Sequence, residues 1–202
     1  MRILRSRDSA ALAWKNGLGV SHVVASQPHG AGYDAVDWQV GTTSIEASCR
    51  FSELPGLDRQ FILLEGEGVE LHCRGAGGDP DLRRRIDAPL EPFAFRGDWQ
   101  TECRLLGGPV RVLNVVTRRG ACSARVSTAT MQVPTVIEKA AGETLLVFIV
   151  AGSMQIEGCP DTLATNDAMI AEGAKPGRYS MRGTSARMVA AHLAPVRPTA
   201  GQ

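Results

Sequence analysis

The stretch RQFILLEGEGVELHCRG, Arg59 to Gly75, constrains the fold more than any other part of the chain. An apolar run ends at Glu65 and the chain turns through Gly66 and Gly68. Val69, Leu71 and Cys73 then alternate with Glu70 and His72. Successive side chains of a strand point to opposite faces, so this period of two predicts a β-hairpin. The same signature recurs in DAVDWQVGTTSI, PFAFRG, VRVLNVVT, TLLVFIVAG, SMQIEG, AMIAEG and ARMVAAHLA, separated by turns rich in glycine and proline. Strands this short and this closely spaced predict an all-β sandwich or barrel and argue against a parallel α/β sheet. Only RDSAALA and LPGLDRQ are expected to hold a helical turn.

The pattern repeats. FILLEGEGVEL matches VFIVAGSMQIE in order, with Gly66 and Gly152 at the turns, and LEPFAFRGD matches TNDAMIAEGA. GPVRVLNVV aligns with TSARMVAAH, setting Arg111 beside Arg187 and Asn114 beside Ala190. Two copies of one β-unit would let each bury an apolar face. The expected organisation is a first β-barrel over residues 1–121 and a smaller, degenerate β-unit over 122–202, with GACSARVSTATMQVPTVIEKAAG as the crossing. The second copy lacks polar positions that the first retains, which places function in the first.

The 202 residues are 44% hydrophobic and 21% charged, enough for one large core or two small ones. With 22 Lys+Arg against 21 Asp+Glu the formal charge is +1, so no global field draws in nucleic acid or an anionic membrane. DLRRRID reads as a solvated local feature. No apolar run approaches the roughly 18 residues of a membrane span and the N-terminus lacks an apolar leader core, so a cytoplasmic protein is expected. Cys49, Cys73, Cys103, Cys122 and Cys159 form no C-x-x-C pair and read as reduced buried thiols. His22, His29, His72 and His192 are equally dispersed, and no cofactor or metal is expected. His72 alternates with core-facing Leu71 and Cys73 and should point outward; His192 lies in an apolar strand and reads as structural.

Four segments together resemble the HutD/Ves family: WKNGLGVS (Trp14 to Ser21), DWQVGTTSI (Asp37 to Ile45), FSELPGLDRQFILLEGEGVEL (Phe51 to Leu71) and FRGDWQTECRLLGGPVRVLNVVTRRG (Phe95 to Gly120). They cover about the first three-fifths of the chain. The resemblance implies an association with bacterial histidine utilisation and a bicupin fold: two double-stranded β-helix, jelly-roll-like barrels in tandem. This chain departs from the family pattern at Leu18, at Ser21, at Trp38-Gln39 where Trp-Arg is usual, at Ser48-Cys49-Arg50, and at Val112 where an Asp precedes Leu-Asn.

In a cupin the ligand lies in the barrel mouth, met by inward side chains of adjacent strands. The hairpin here lacks the closely spaced His pair of metal-binding cupins, so polarity must come from other groups. Lys15, Asn16, Arg59, Asn114 and Arg118 offer an ammonium, two amides and bidentate guanidinium forks, a set suited to a carboxylate or formamide. Trp14, Trp38 and Phe51 offer apolar walls. Each has a plainer reading: Lys15-Asn16-Gly17 as a turn, Asp58-Arg59 as a local ion pair beside the Pro55-Gly56 corner, Gly97-Asp98 as a turn. Asn114 inside VRVLNVV is more telling, because a buried amide needs partners.

The function expected is metal-independent binding of a small carboxylate, such as N-formylglutamate or a related histidine-breakdown intermediate, by a sensor, buffer or regulator. An isomerase or hydrolase acting on a similar acid is the alternative, although no His or Cys/His constellation supports it. A DNA-binding regulator is disfavoured by neutral charge and by the lack of a helix-turn-helix pattern. A homodimer and a monomer are equally open.

Overall fold

The computed structural model describes residues 1–9, 11–13, 19–75 and 81–196. Its strands run β1 (Arg2–Leu4), β2 (Ala11–Ala13), β3 (Gly19–Gln27), β4 (Trp38–Ile45), β5 (Cys49–Arg50) and β6 (Leu57–Glu65). They continue as β7 (Val69–Arg74), β8 (Asp81–Ile86), β9 (Pro92–Arg96), β10 (Gln100–Leu105) and β11 (Val110–Arg118). The remainder are β12 (Cys122–Thr130), β13 (Thr135–Lys139), β14 (Thr144–Ile156), β15 (Thr162–Ala164), β16 (Ala168–Ala171) and β17 (Gly177–Pro195). A 3-10 turn at Ser6–Asp8 is the one helical element among the described residues. The helical turn expected in LPGLDRQ is absent: Leu57 to Gln60 open β6, because Leu57 is buried and the segment is held between β11 and β9.

The chain divides into two units, one of Ala10–Arg119 and one that joins Met1–Ser9 to Gly120–Gln202. The expected ranges had given the N-terminus to the first unit; β1 instead pairs antiparallel with β16 and so belongs to the second. The stretch read as a crossing holds β12 and β13, both of which pair with β17. Its small residues gave no hint of strands whose pairing partners lie 38 to 73 residues downstream.

In the first unit a six-stranded sheet, β2-β3-β4-β11-β6-β9, faces a four-stranded sheet, β5-β10-β7-β8. Ile45, Phe61, Leu63, Val110 and Val112 from the first meet Val69, Leu71, Cys73, Ile86 and Cys103 from the second. This is the interior that the alternation in RQFILLEGEGVELHCRG anticipates, and its apolar burial supplies the main driving force for the unit. Cross-strand partners share a face, so the register shows which side chains enter that interior.

The second unit is built on one seven-stranded sheet around the two long strands β14 and β17. Register shifts between Ile149 and Ala151 and between Ala151 and Ser153 bend this pair. The bend brings Leu145, Val147, Ile149 and Met188 into one cluster with Met154, Ile156, Leu163 and Met181. The strand orders correspond: β9-β6-β11-β4 in the first unit runs as β16-β14-β17-β12 in the second. That matches the sequence repeat, including Asn114 on β11 against Ala190 on β17.

A polar knot closes one end of the first unit's larger sheet. Leu54 N donates to Gly97 O at 2.7 Å, Gly97 N donates to Leu57 O at 2.7 Å, and Gly56 N donates to Asp98 Oδ1 at 2.9 Å. Arg119 bonds Asp58 at 2.6 Å and also Asp98. Asp58 therefore pairs with the residue that follows the adjacent strand β11, not with its neighbour Arg59. A Cβ at Gly97 would sit 2.6 Å from Leu54 O and 2.8 Å from Leu57 O, both fixed backbone atoms. Gly97→Ala should destabilise by about 1–3 kcal/mol, the range for overpacking, seen as a thermal midpoint several degrees lower. An unchanged midpoint would show that the knot yields without cost.

No helix among the described residues is long and apolar enough to cross a membrane.

Candidate functional site

Arg59 on β6 and Asn114 on β11 both point into the first unit's interior. Asn114 is the register partner of Phe61, a core residue, and Arg59 lies two residues earlier on the same face. The Arg59 guanidinium is sandwiched between aromatic rings, its Cζ 4.9 Å from the Phe51 centroid and 5.0 Å from the Phe95 centroid. Phe51 stacks in turn on Phe61, ring centroids 6.1 Å apart. Cation–π contacts of this kind contribute roughly 0.5–2 kcal/mol each, so the aromatic pair holds the charge in place.

The hydrogen bonding around that charge is incomplete. Arg59 Nη2 donates to Asn114 Oδ1 at 3.4 Å, and Asn114 Nδ2 donates to Thr43 Oγ1 at 3.4 Å. Thr43 and Ser21 hydroxyls lie 3.1 Å apart, which extends the polar row across four strands. Both bonds to Asn114 are long against the usual 2.9–3.0 Å, and an amide can make about four. Arg59 is partly buried as a residue, but its Nε is sealed from solvent and has no hydrogen-bond partner among the described residues. Burial pulls the Arg59 pKa below its ordinary value, and no carboxylate among the described residues opposes that pull. A buried cation with an unmet donor is costly, several kcal/mol in general terms.

The other residues singled out from the sequence are placed as follows. Trp14, Lys15 and Asn16 lie outside the described residues. Phe51, Arg59 and Asn114 come together. Trp38 does not join them: its register partner is Thr117, whereas the partner of Arg59 is Val116, so the Trp38 ring is buried on the opposite face of the sheet. Arg118 is occupied, with Nε donating to Val36 O at 2.8 Å and Nη2 donating to Tyr33 O at 2.8 Å and Asp34 O at 3.0 Å. It clamps a loop and leaves no free fork for a ligand. Thr43, Ser21 and Phe95 were not among the site residues expected from the sequence. The signal for Phe95 was present in PFAFRG, where its alternation matches that of the strand bearing Arg59.

His72 lies on the outward side of its sheet, as alternation predicts, yet it is buried there. Its Nε2 is 2.5 Å from Asp81 Oδ1 and its Nδ1 is 3.0 Å from Arg74 Nη2. It borders an open cleft of about 480 Å³ with Cys49, Glu70, Arg74, Arg83 and Glu102. That cleft lies on the opposite side of the four-stranded sheet from the Arg59 interior, and most of its charges are spent on one another. The interior, where Arg59 Nε is a buried donor with no partner among the described residues, is therefore the better candidate. His192 is buried in the second unit, its Nδ1 3.1 Å from Glu143 Oε2. Lys139, also buried, donates to the carbonyls of Ala140, Glu143 and Gly173 at 2.9–3.0 Å, a structural use of all three protons. Among the described residues no three His, Cys, Asp or Glu side chains gather as metal ligands.

These features define an all-β, cupin-like protein whose polar interior is lined by arginine and asparagine. The fold alone is shared at low identity with the pirin YhhW of Escherichia coli (11% identity, TM-score 0.65, covering 97% of this chain and 99% of that one). A model of the HutD family matches residues 6–189, and the chain belongs to that family. HutD from Pseudomonas fluorescens SBW25, solved in a formate condition, is 28% identical with a TM-score of 0.82, covering 97% of this chain and 99% of that one. A conserved protein of unknown function from Pseudomonas aeruginosa PAO1 is 28% identical with a TM-score of 0.80 over the same shares. An uncharacterised 21.2 kDa protein of the hutC 3' region in Pseudomonas putida is 34% identical over 116 residues, which span 57% of this chain and 57% of that relative.

Proposed function

We propose that this chain binds a small carboxylate metabolite, without a metal, in the interior of its first unit, and that it acts in histidine catabolism as a sensor or regulator. The observation that carries the reading is the sealed, unpartnered Nε of Arg59 beside an under-bonded Asn114. A carboxylate accepts from Nε and Nη together, the bidentate geometry for which arginine is suited. Asn114 would meet a second oxygen or a formyl group, and Phe51 and Phe95 would cover the apolar body. The link to histidine catabolism rests on family membership and on the hutC neighbourhood of the P. putida relative. The matching strand orders of the two units support a tandem of cupin barrels in which the second, with Ala190 where the first has Asn114, serves as a structural copy. Lys15 and Asn16 would complete the mouth.

The test is calorimetric titration with N-formyl-L-glutamate, glutamate, formate and urocanate. Micromolar binding by at least one of them, weakened in Lys15→Met, is the expected result. No heat with any of the four, in protein shown to be folded, would sink the carboxylate reading.

A further inference from the structure

We infer that Cys49 and Cys103 form a redox site: a cross-strand dithiol that closes to a disulfide by exchange with a small oxidised disulfide, and in closing ties down the segment that carries Phe51. The inference goes beyond ligand binding and can be tested without any ligand.

The geometry comes from register. Cys49 on β5 and Cys103 on β10 are direct antiparallel partners, so their side chains share a face. Phe51 N donates to Thr101 O at 2.9 Å, which makes Phe51 and Thr101 a hydrogen-bonded pair. Bonded and non-bonded pairs alternate, so Cys49 and Cys103, two positions along, fall in the same class, with Cα atoms about 5.5 Å apart. That lies inside the roughly 4.4–6.8 Å that a disulfide spans. Cys73 is the partner of Thr101 and hence diagonal to Cys103. Diagonal neighbours are about 7–8 Å apart, beyond the reach of a disulfide. All five cysteines are free thiols in the structure.

Access comes from the sheet edge. Cys49 is partly exposed on β5, the last strand of its sheet, and packs against the interior cluster in which Cys103 is buried. A small disulfide therefore meets Cys49 first. Cys49 thiolate attacks one sulfur of the oxidant and expels one thiolate, leaving a mixed disulfide. Cys103 then loses its proton and displaces the second thiolate. The protein gives up two electrons and two protons, and the oxidant becomes two thiols. Burial raises the Cys49 pKa and pushes Cys103 up to about 12, with Cys49 adding to the latter shift. Thiolate is scarce at neutral pH, so closure should quicken as pH rises.

The consequence falls on Phe51. β5 is two residues long and lies at the sheet edge, paired among the described residues only with β10, and Phe51 follows it directly to cover Arg59. A covalent tie stops that edge from fraying.

Reduced protein is incubated with glutathione disulfide at neutral and mildly alkaline pH, quenched in acid and alkylated in denaturant. We expect two of the five cysteines to escape alkylation, a peptide joining Cys49 to Cys103, faster closure at the higher pH, and slower amide exchange around Phe51. Cys103→Ala should instead keep a glutathione adduct on Cys49, and Cys49→Ser should not react. Alkylation of all five cysteines after incubation, or a link through Cys73 or Cys159, would overturn the inference. So would a lasting adduct on Cys49 in the unsubstituted protein.

Discussion

Arg59→Met should yield a protein that is more stable and does not bind. The two effects have one cause. Arg59 is a desolvated cation whose Nε has no partner, and whose one hydrogen bond is 3.4 Å long, among the described residues. Methionine occupies similar volume, can lie between Phe51 and Phe95, and removes both the charge and the unmet donor. Replacing an imperfectly paired buried charge by an apolar side chain is commonly neutral to stabilising by about 1–4 kcal/mol. Loss of the two cation–π contacts takes back part of that. The net expectation is a thermal midpoint raised by a few degrees. A carboxylate ligand loses its charge-assisted bonds, each about 1.5–3 kcal/mol, so affinity should fall at least about tenfold for each bond lost. Arg59→Lys should fall between, since an ammonium keeps the charge but not the planar fork. Calorimetric titration and thermal unfolding on one sample decide the matter. If Arg59→Met destabilises the protein and leaves binding intact, Arg59 is a structural residue and the site lies elsewhere.

The fold was legible because strands with one face buried announce themselves by alternation, and Val69 to Cys73 does so clearly. The same logic puts Asn114 inside, an amide within an apolar strand that has to face polar partners. Alternation failed at Trp38 for a physical reason. Most of β4 is buried on both faces, so its residues show no period from which inside and outside could be told. Only the register against β11 separates Trp38 from Gln39. The polar knot was hidden for a different reason: Asp58 and Asp98 meet through Arg119, which is 61 and 21 residues away from them along the chain. Arg118 next to it read as a free fork, although its acceptors are loop carbonyls more than eighty residues away. Ion pairs set by topology leave no local trace. Two departures from the family pattern gain meaning from the register. Gln39 shares the face of Val116 and Arg59, and Val112 that of Leu63. Both altered positions thus lie on the face of the sheet that carries Arg59 and Asn114.

Asp167→Ala should release the N-terminal strand from the second unit. Asp167 is 5% exposed and accepts from Arg5 Nη1 at 2.8 Å, Ser6 N at 3.0 Å and Ala164 N at 3.0 Å. One carboxylate thus joins the turn before β16 to the residues that follow β1, and among the described residues β1 pairs only with β16. Burial by itself would raise the Asp167 pKa; the N–H groups of Ala164 and Ser6, then Arg5, outweigh it and hold the pKa below its ordinary value. A carboxyl with a depressed folded pKa contributes stability that is fully present above its unfolded value, about 3.9, and lost as pH falls through the folded value. At neutral pH the substitution removes three bonds to a charged acceptor, a cost of about 2–4 kcal/mol, while Arg5 keeps Asp161 and the Thr162 carbonyl. Hydrogen exchange should show Arg2 to Leu4 unprotected in Asp167→Ala at neutral pH and protected in the unsubstituted protein. The difference should shrink on acidification below about pH 4. A difference that is constant with pH would mean that the latch works by shape and not by charge. Protection equal in both proteins at neutral pH would mean that the β1–β16 ladder holds without it.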